Sequence, residues 1–301
     1  MTTLDRLIEV LSRHMPEDGM RGCALPGVTL IRSGTPTVPM PVVYEPTLCL
    51  IAQGRKQVML GTEAYVYDPA RYLVASVDMP VTGSVIEATA DKPYLCLSLD
   101  LDVAQLSELA LQHPASAAID EAPATGIALN DVSPDLLDTV LRLAALLDTP
   151  RDIAALAPLV TRELLYRLLT GTGAGNGLVR QMARGDSRLS QISKAIVWLR
   201  ANYDGACRID DIADVAGMSR STFHAHFKAV TSMSPLEFRS RLRLQEARRL
   251  MVAEAMDAAG AGFRVGYESP SQFSRDYARL FGQPPAKDAG RLRRSAQRQA
   301  N

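Results

Sequence analysis

The sequence predicts an α+β protein of two domains, with a β-rich N-terminal domain that ends in helices and an all-α C-terminal domain. Three observations predict this class: a series of short β-branched segments, an internal repeat in the last third, and an uneven division of charge. The 301 residues are enough for two separate cores, and a hydrophobic content of 47% is that of an ordinary globular protein.

The N-terminal half begins with a helix and continues as strands. An apolar stripe formed by Leu4, Leu7, Ile8 and Leu11 predicts a helix between Thr3 and Met15. Segments rich in β-branched residues and bounded by Gly, Pro and Asp then predict strands at 28–32, 42–44, 47–52, 56–60, 64–67, 72–77, 81–88 and 94–101. Their length and spacing favour an antiparallel sheet closed into a barrel or folded as a sandwich, with a hairpin turn at 61–63.

Two helices are predicted after these strands. A helix at 103–112, a loop at 113–125 and a short strand at 127–129 precede a helix that Ser133 caps and Pro134 starts. Its apolar residues follow the four-three-four spacing of a coiled-coil seam: Leu136, Val140, Leu143 and Leu147. This seam predicts a homodimer, although the same residues could cover the sheet. A second helix is predicted at 152–169.

A glycine-rich stretch divides the chain. The segment GTGAGNG at 171–177 accepts almost any backbone angle and predicts a flexible linker. We therefore expect domains at 1–170 and 190–290, a linker at 171–189 and a frayed basic tail at 291–301. A helix at 190–202 is predicted to open the second domain.

The segment from Arg208 to Pro235 has the signals of a helix-turn-helix. Asp210 is the predicted N-cap of a short helix that Gly217 breaks, and Ser219 is the predicted N-cap of the next. In that second helix the apolar residues Phe223 and Phe227 lie one turn apart, which leaves polar and cationic residues on the other faces.

The same pattern recurs 50 residues later. Ser219, Phe223, Phe227 and Pro235 correspond in spacing to a second set, namely Ser269, Phe273, Tyr277 and Pro285. In the second copy Ser269 is the predicted N-cap and Pro270 occupies the first helical position. The intervening RLRLQEARRL belongs to a long amphipathic helix, which predicts a rigid strut between two equivalent units.

These motifs resemble the AraC/XylS family of bacterial transcription regulators. The resemblance is carried by GMS, RLRLQEARRL, VGYESPSQFSR and FGQPP, while LPGVTLIRSGTPT and YDPARYLVASVDMPVTG resemble the family's cupin-like N-terminal domain. It implies two recognition helices that enter successive major grooves of double-stranded DNA, a cupin-like β-barrel that senses a small molecule, and contact with RNA polymerase if the protein is an activator.

The resemblance also implies which residues contact DNA. They are Arg220, Ser221, His224, Ala225 and Lys228 in the first helix, and Pro270, Ser271, Gln272 and Arg275 in the second. Ala225 offers only a methyl group where the family often has a longer polar side chain. His226 stands where the family usually has an apolar residue and is expected to face inward. Gly260 and Gly262 predict a weaker, more mobile second unit.

The charge distribution favours a polyanionic partner for the C-terminal half. From Ser190 onward 18 Lys and Arg stand against 11 Asp and Glu, a net charge of +7, while the preceding residues carry −7. A cationic surface is attracted to phosphates, although on charge alone a solvated basic surface is an equal alternative.

No metal site or cofactor is predicted. Before the C-terminal domain the histidines are His14 and His113, both outside the predicted strands, so a cupin metal site lacks its ligands. The effector is expected to meet tyrosine side chains, which offer an apolar ring with a polar tip: Tyr44, Tyr65, Tyr67, Tyr72 and Tyr94. Ordinary packing is the alternative for each of them.

Two other functions stay open at this point. The N-terminal domain could be a metal-independent isomerase or a thiol transferase with Cys49, Cys96 or Cys207 as nucleophile, or the protein could be an architectural DNA-binding protein without a sensor. No cysteine pair has the spacing of a zinc ribbon, and no apolar run reaches the ~18 residues of a membrane span. We expect a cytoplasmic regulator that is not an enzyme.

Overall fold

The computed structural model describes residues 1–113, 125–205 and 207–300, with side chains through residue 294. Residues 114–124 of the expected loop and Arg298 of the basic tail therefore lie outside the described side chains. Within the described part, a β-rich N-terminal half is followed by a helical C-terminal half, as the sequence predicts.

The strands match the eight predicted segments within two residues at nearly every boundary and add a short first strand. They are β1 Gly19–Gly22, β2 Val28–Ser33, β3 Met40–Tyr44, β4 Thr47–Gln53, β5 Arg55–Leu60, β6 Glu63–Tyr67, β7 Arg71–Ala75, β8 Met79–Glu87, β9 Tyr94–Asp100 and β10 Ile127–Asp131. Gly61 has the positive φ of 60° that the tight β5–β6 turn requires.

The strands form two antiparallel sheets, not a closed barrel. One has the order β1-β2-β9-β4-β7-β10 and the other β3-β8-β5-β6, and no strand ladder joins them among the described residues. The prediction of a closed barrel is wrong in this respect, and the sandwich alternative is the better description. Pro41 lies in edge strand β3 and has no N–H to donate, which suits an edge that stays open.

Helices flank the sheets and build the C-terminal half. They are α1 Thr3–His14, α2 Val103–Gln112, α3 Pro134–Ala145, α4 Ile153–Thr170, α5 Ala174–Ala183, α6 Arg188–Ala201, α7 Ile209–Val215, α8 Arg220–Thr231, α9 Pro235–Ala253, α10 Ala258–Arg264, α11 Pro270–Phe281 and α12 Pro285–Ala300. Two short 3-10 turns, 146–148 and 150–152, join α3 to α4. The tail predicted to fray continues α12.

The seam predicted on α3 packs inside the chain. Leu136, Val140, Leu143 and Leu147 are all buried, and α3 packs against α1 and α4. A homodimer cannot use these side chains without opening the fold, so the predicted dimer seam is wrong and the alternative, that they cover the domain, is right. Over only two heptads, the apolar residues of a coiled-coil seam and those of a helix packed on a core have the same three- and four-residue spacing.

The segment predicted as a flexible linker contains a packed helix. Helix α5 buries Leu178, Val179 and Met182, and its Asn176 side chain donates a 2.6 Å hydrogen bond to the Leu168 carbonyl at the end of α4. The Tyr72 hydroxyl donates to the same amide at 3.2 Å. Here tertiary packing overrides the low helix propensity of glycine.

The two helix-turn-helix units have different side chains at corresponding positions of their cores. In the first, Phe227 and Phe238 meet edge to face with ring centroids 5.3 Å apart. The residues 50 positions later are Tyr277 and Asp288, and the Tyr277 hydroxyl donates a 3.0 Å hydrogen bond to the Asp288 carboxylate. Arg248 on α9 completes this buried group with a 2.9 Å ion pair to Asp288.

The charge of Asp288 is stabilised by its partners. Burial would raise the pKa of this carboxyl, but hydrogen bonds from Arg291 and Arg248 outweigh it and lower the pKa below its ordinary value. A carboxyl with a lowered pKa in the folded state stabilises the fold above its unfolded pKa of about 3.9, and this contribution is lost as the pH falls through the folded value.

We therefore expect Asp288→Asn to lower the free energy of unfolding by about 3 kcal/mol at pH 7, because Arg248 loses its buried counter-ion. Urea unfolding of the full chain would measure this, and the difference from the parent protein should shrink below about pH 4. Glu254→Gln, which breaks an exposed pair with Arg249, is the matched control and should leave the unfolding midpoint unchanged. An unaltered midpoint in Asp288→Asn would show that the buried group is not stabilising.

Candidate nucleic-acid interface and candidate ligand cavity

Helix α8 presents the first set of predicted DNA-contacting residues. Its N-cap is Ser219, whose hydroxyl accepts from the Thr222 N–H at 3.3 Å, and Gly217 makes the preceding turn with a φ of 65°. The side chains of Arg220, Ser221, Ala225 and Lys228 are exposed, and His224 is half-buried. His226, which is expected to face inward, is also half-buried.

The short helix before this turn begins two residues earlier than predicted. Arg208 is the residue before α7, and it makes no side-chain capping bond. Asp210, the predicted N-cap, lies in the first turn, where a carboxylate favours the positive end of the helix dipole. Its carboxylate also lies 3.7 Å from the guanidinium of Arg220, one of the predicted DNA-contacting residues, and forms a long ion pair with it.

Helix α11 presents the second set. Ser269 is the N-cap and accepts from the Gln272 N–H at 3.4 Å, while Pro270 occupies the first turn. All four predicted contacts, Pro270, Ser271, Gln272 and Arg275, are exposed. Among the described residues no ion pair is shown for Arg275 or for Lys228 on α8, so both charges are open to solvent. Their base-reading and phosphate-binding roles stay predictions.

Several arginines of the strut serve the fold instead. Arg239 and Arg243 on α9 donate to backbone carbonyls of the α6–α7 connection, with Nε to the Tyr203 oxygen at 2.9 and 2.6 Å respectively. Arg243 also reaches the Gly266 carbonyl at 3.0 Å. Sequence reasoning missed this role, because alternating arginines on a basic helix have the same pattern whether they contact phosphate or backbone.

A cavity of about 760 Å³ lies between the two sheets of the N-terminal half. One wall comes from Thr29, Ile31, Cys49, Tyr94 and Ser98 on β2, β4 and β9, and the other from Val42, Tyr44, Lys56, Gly83 and Val85 on β3, β5 and β8. The exposed carboxylates of Asp18, Glu45 and Asp100 also line it. This volume is in the range of pockets that enclose drug-sized ligands.

Two of the five predicted tyrosines line this cavity. The hydroxyls of Tyr44 and Tyr94 are buried and have no hydrogen-bond partner among the described residues. Tyr67 is buried with an unpaired hydroxyl but is not in the lining, whereas Tyr65 donates to Glu63 at 2.7 Å and Tyr72 to Asn176. The structure therefore brings Tyr44 and Tyr94 to the cavity and leaves the other three outside its lining.

Three titratable groups lie near these tyrosines: Lys56, Cys49 and Cys96. Their positions in the sequence give no reason to group them. The Lys56 ammonium lies 5.4 Å from the Tyr44 ring centroid. Burial alone would lower the pKa of Lys56, but the neighbouring Tyr44 and Cys49 more than offset this and raise it, so the group is a cation at neutral pH. A hydrogen bond from the Cys96 thiol, with the nearby Lys56 charge, lowers the pKa of Cys49 to about 6.

Contacts between the two halves begin beside the cavity. Glu45, in its lining, accepts a 3.0 Å ion pair from Arg200 at the end of α6, and Arg200 also pairs with Asp78 just before β8. A second contact joins the Gly126 N–H to the Val230 carbonyl of α8 at 2.8 Å. Helix α8 is thus hydrogen-bonded to the N-terminal half.

Among residues 1–113, 125–205 and 207–300, no helix has the length and apolarity needed to cross a membrane. The same part of the chain has no cluster of three or more His, Cys, Asp or Glu arranged to hold a metal ion.

Comparisons with known proteins fit this architecture. The family model described as the AraC-type transcriptional regulator N-terminus matches residues 24–176, and a helix-turn-helix domain model matches residues 212–291. HTH-type transcriptional activator RhaS of Shigella dysenteriae serotype 1 is 24% identical over 225 residues, 75% of this chain and 74% of that protein, and RhaS of Escherichia coli K12 has the same values.

Solved structures of similar fold include ToxT from Vibrio cholerae. ToxT of strain O395, bound to (E)-4-(8-methylnaphthalen-1-yl)but-3-enoic acid, has a TM-score of 0.58 and 11% identity over 88% of this chain and 98% of that one. ToxT of strain SCE256, bound to an unsaturated fatty acid, has a TM-score of 0.57 and 11% identity over 87% and 93%. Because the N-terminal family model alone spans half of the sequence, the chain belongs to the AraC/XylS family of DNA-binding transcriptional regulators.

Proposed function

We propose that the cavity between the two sheets binds a small effector, and that its occupancy changes how α8 and α11 are presented to DNA. The observation that carries this proposal is a single physical connection: Glu45 lines the cavity and is ion-paired to Arg200 of the DNA-binding half. ToxT, which shares the fold, has been solved with organic acids bound, which supports a ligand for this cavity. We take the protein to be a cytoplasmic regulator and not an enzyme.

The exposed residues of α8 and α11 would contact DNA in two adjacent major grooves. Helix α9 joins the two units with 19 residues, about 28 Å at the usual rise of an α-helix. A B-DNA turn of about 34 Å is of similar length. In this arrangement Arg275 and Gln272 would read base edges, while Lys228 would hold a phosphate.

Ligand binding needs a route to the DNA-binding half, and the turn between β3 and β4 offers one. Tyr44 is at the end of β3 and lines the cavity, while the adjacent Glu45 carries the bond to Arg200. Asp78, only 12% exposed, holds the same guanidinium. An effector that shifts Tyr44 would shift this pair, provided that it binds the two arrangements with different affinity.

Protein partners are also proposed. The relatives named RhaS are transcriptional activators, so an activating role with contact to RNA polymerase is consistent with the family. A homodimer would have to use side chains other than the buried seam of α3. The exposed apolar residues Leu156, Leu159 and Tyr166 of α4 are the better candidates.

The structure bears differently on the two alternative functions, an architectural DNA-binding protein and a thiol enzyme. An architectural protein without a sensor would have a filled N-terminal domain, and the cavity counts against it. The thiol alternative rests on Cys49, which lines the cavity and has a lowered pKa. That shift comes from a buried partner thiol and a lysine, and the Cys49 sulfur contacts Ser98 Oγ at 3.5 Å. The family membership favours a regulator over this alternative.

The DNA contacts can be tested by substituting the two unpaired cations. Arg275→Ala should cost about 1 to 3 kcal/mol of binding and relax one operator position, whereas Lys228→Ala should weaken binding to all sequences and reduce the salt dependence by about one charge. Arg279→Ala on α11, an exposed arginine paired with Asp276, is the matched control. Equal losses for Arg275→Ala and Arg279→Ala would argue against base reading by α11.

The coupling can be tested by hydrogen exchange. Arg200→Met should speed amide exchange in the turn at 44–47 and in the last turn of α6, because the pairs with Glu45 and Asp78 are lost. Arg184→Met, whose exposed guanidinium pairs only at 3.6 Å with Asp186, should change neither segment. Unchanged exchange in Arg200→Met would mean that the ion pairs do not hold the two halves together.

A further inference from the structure

Lys56 differs from the cavity-lining residues Arg32 and Glu45 in that both of these are ion-paired. Arg32 pairs with Asp18 at 3.3 Å, and Glu45 pairs with Arg200 at 3.0 Å. For Lys56 no carboxylate lies within ion-pair distance among the described residues. The aliphatic part of the Lys56 side chain packs over Gly83 on the neighbouring strand β8: a Cβ added to Gly83 would lie 3.4 Å from Lys56 Cε. This packing directs the ammonium group into the space between the sheets.

Two tyrosine hydroxyls in the same lining as Lys56 have unused capacity to donate hydrogen bonds. The hydroxyls of Tyr44 and Tyr94 are buried and unpartnered, and both line the cavity with Lys56. Burying a polar group without a partner is unfavourable, and burying a charge without one is more so. A ligand oxygen that accepts from all three groups would satisfy them together, and an anionic oxygen would do so most strongly.

The remainder of the lining defines the other end of the ligand. Apolar side chains from both sheets face the cavity, namely Ile31, Met40, Val42, Val43 and Val85. The carboxylates of Asp18, Glu45 and Asp100 are on exposed residues and would repel an anion at the mouth. The anionic group of a ligand is therefore favoured at the buried end of the cavity, near Lys56. A single lysine there balances a single negative charge.

We propose that the cavity binds a small amphipathic carboxylate whose head is held by Lys56, Tyr44 and Tyr94 and whose apolar part packs between Ile31, Val42 and Val85. This inference rests on the proposed function, since it names the chemical class of the effector. A phosphate monoester is disfavoured because it carries up to two charges, and among the described lining residues Lys56 is the one cation without a carboxylate partner. The competing explanation for Lys56 is that the Cys49 thiolate is its counter-ion.

The test compares an acid with its neutral counterpart on the purified full-length protein. Isothermal titration calorimetry at pH 7.5 with decanoate and with 1-decanol should give about tenfold or more tighter binding of decanoate, as expected for a charge-assisted hydrogen bond. Lys56→Met should abolish that preference while 1-decanol still binds, and Lys56→Arg should retain it. Lys92→Met, at an exposed lysine in the turn before β9, should behave like the parent protein.

Two further measurements separate the explanations. Without ligand, Lys56→Met should raise the thermal unfolding midpoint, because an unpaired cation leaves the cavity, and decanoate should stabilise the parent but not this variant. Cys49→Ser removes the thiolate and should keep the decanoate preference of the parent protein. A preference that is absent in the parent and appears only in Cys49→Ser would identify the thiolate as the counter-ion of Lys56 and overturn the proposal. Equal binding of decanoate and 1-decanol overturns the proposal but leaves the cavity as an effector site. Binding of neither probe overturns the proposal, and it argues against an effector site as well.

Discussion

The constraint on which the rest of the structure depends is a hydrophobic core shared by the N-terminal half and the first helix-turn-helix. Apolar side chains form one continuous cluster from Leu7 in α1 to Phe227 and Val230 in α8. At its edge the Gly126 N–H donates to the Val230 carbonyl, and an added Cβ at Gly126 would stand 3.1 Å from that oxygen. Helix α8 therefore shares its packing with the sheets, which is the contact that the proposed coupling to the cavity requires.

The second unit has a core of its own, built from Phe273, Tyr277 and their neighbours. The repeat in sequence thus hides a difference in anchoring. The first copy is continuous with the N-terminal core, whereas the second contacts that half where α11 meets β3 and where α9 meets β8. Gly262 has a packing reason as well as a propensity cost, because an added Cβ would lie 3.0 Å from the Phe273 ring. Unequal anchoring gives the two recognition helices different freedom to adjust to DNA.

Local signals in the sequence predicted local structure well. Ser133, Ser219, Ser234 and Ser269 all cap helices, because a hydroxyl bonded to a nearby N–H needs no tertiary partner. The failures depend on contacts distant in sequence. Helix α5 forms because Asn176 meets a tyrosine 104 residues away, and the four-three-four spacing on α3 cannot say which surface that helix covers. Lys56 near the start of β5 carries no local signal of a ligand site, and it becomes part of a cavity only because the opposite sheet faces it.

The availability of the basic charge in the C-terminal half also depends on contacts distant in sequence. The excess of +7 counts every arginine from residue 190 onward, yet Arg239 and Arg243 bind backbone carbonyls and Arg248 neutralises Asp288. Arg241 and Arg249 pair with Glu237 and Glu246 on their own helix. These arginines are engaged within the fold, so contact with phosphate falls to the other exposed cations, including Lys228 and Arg275. If α8 and α11 read DNA as proposed, discrimination between sequences falls to their exposed polar residues.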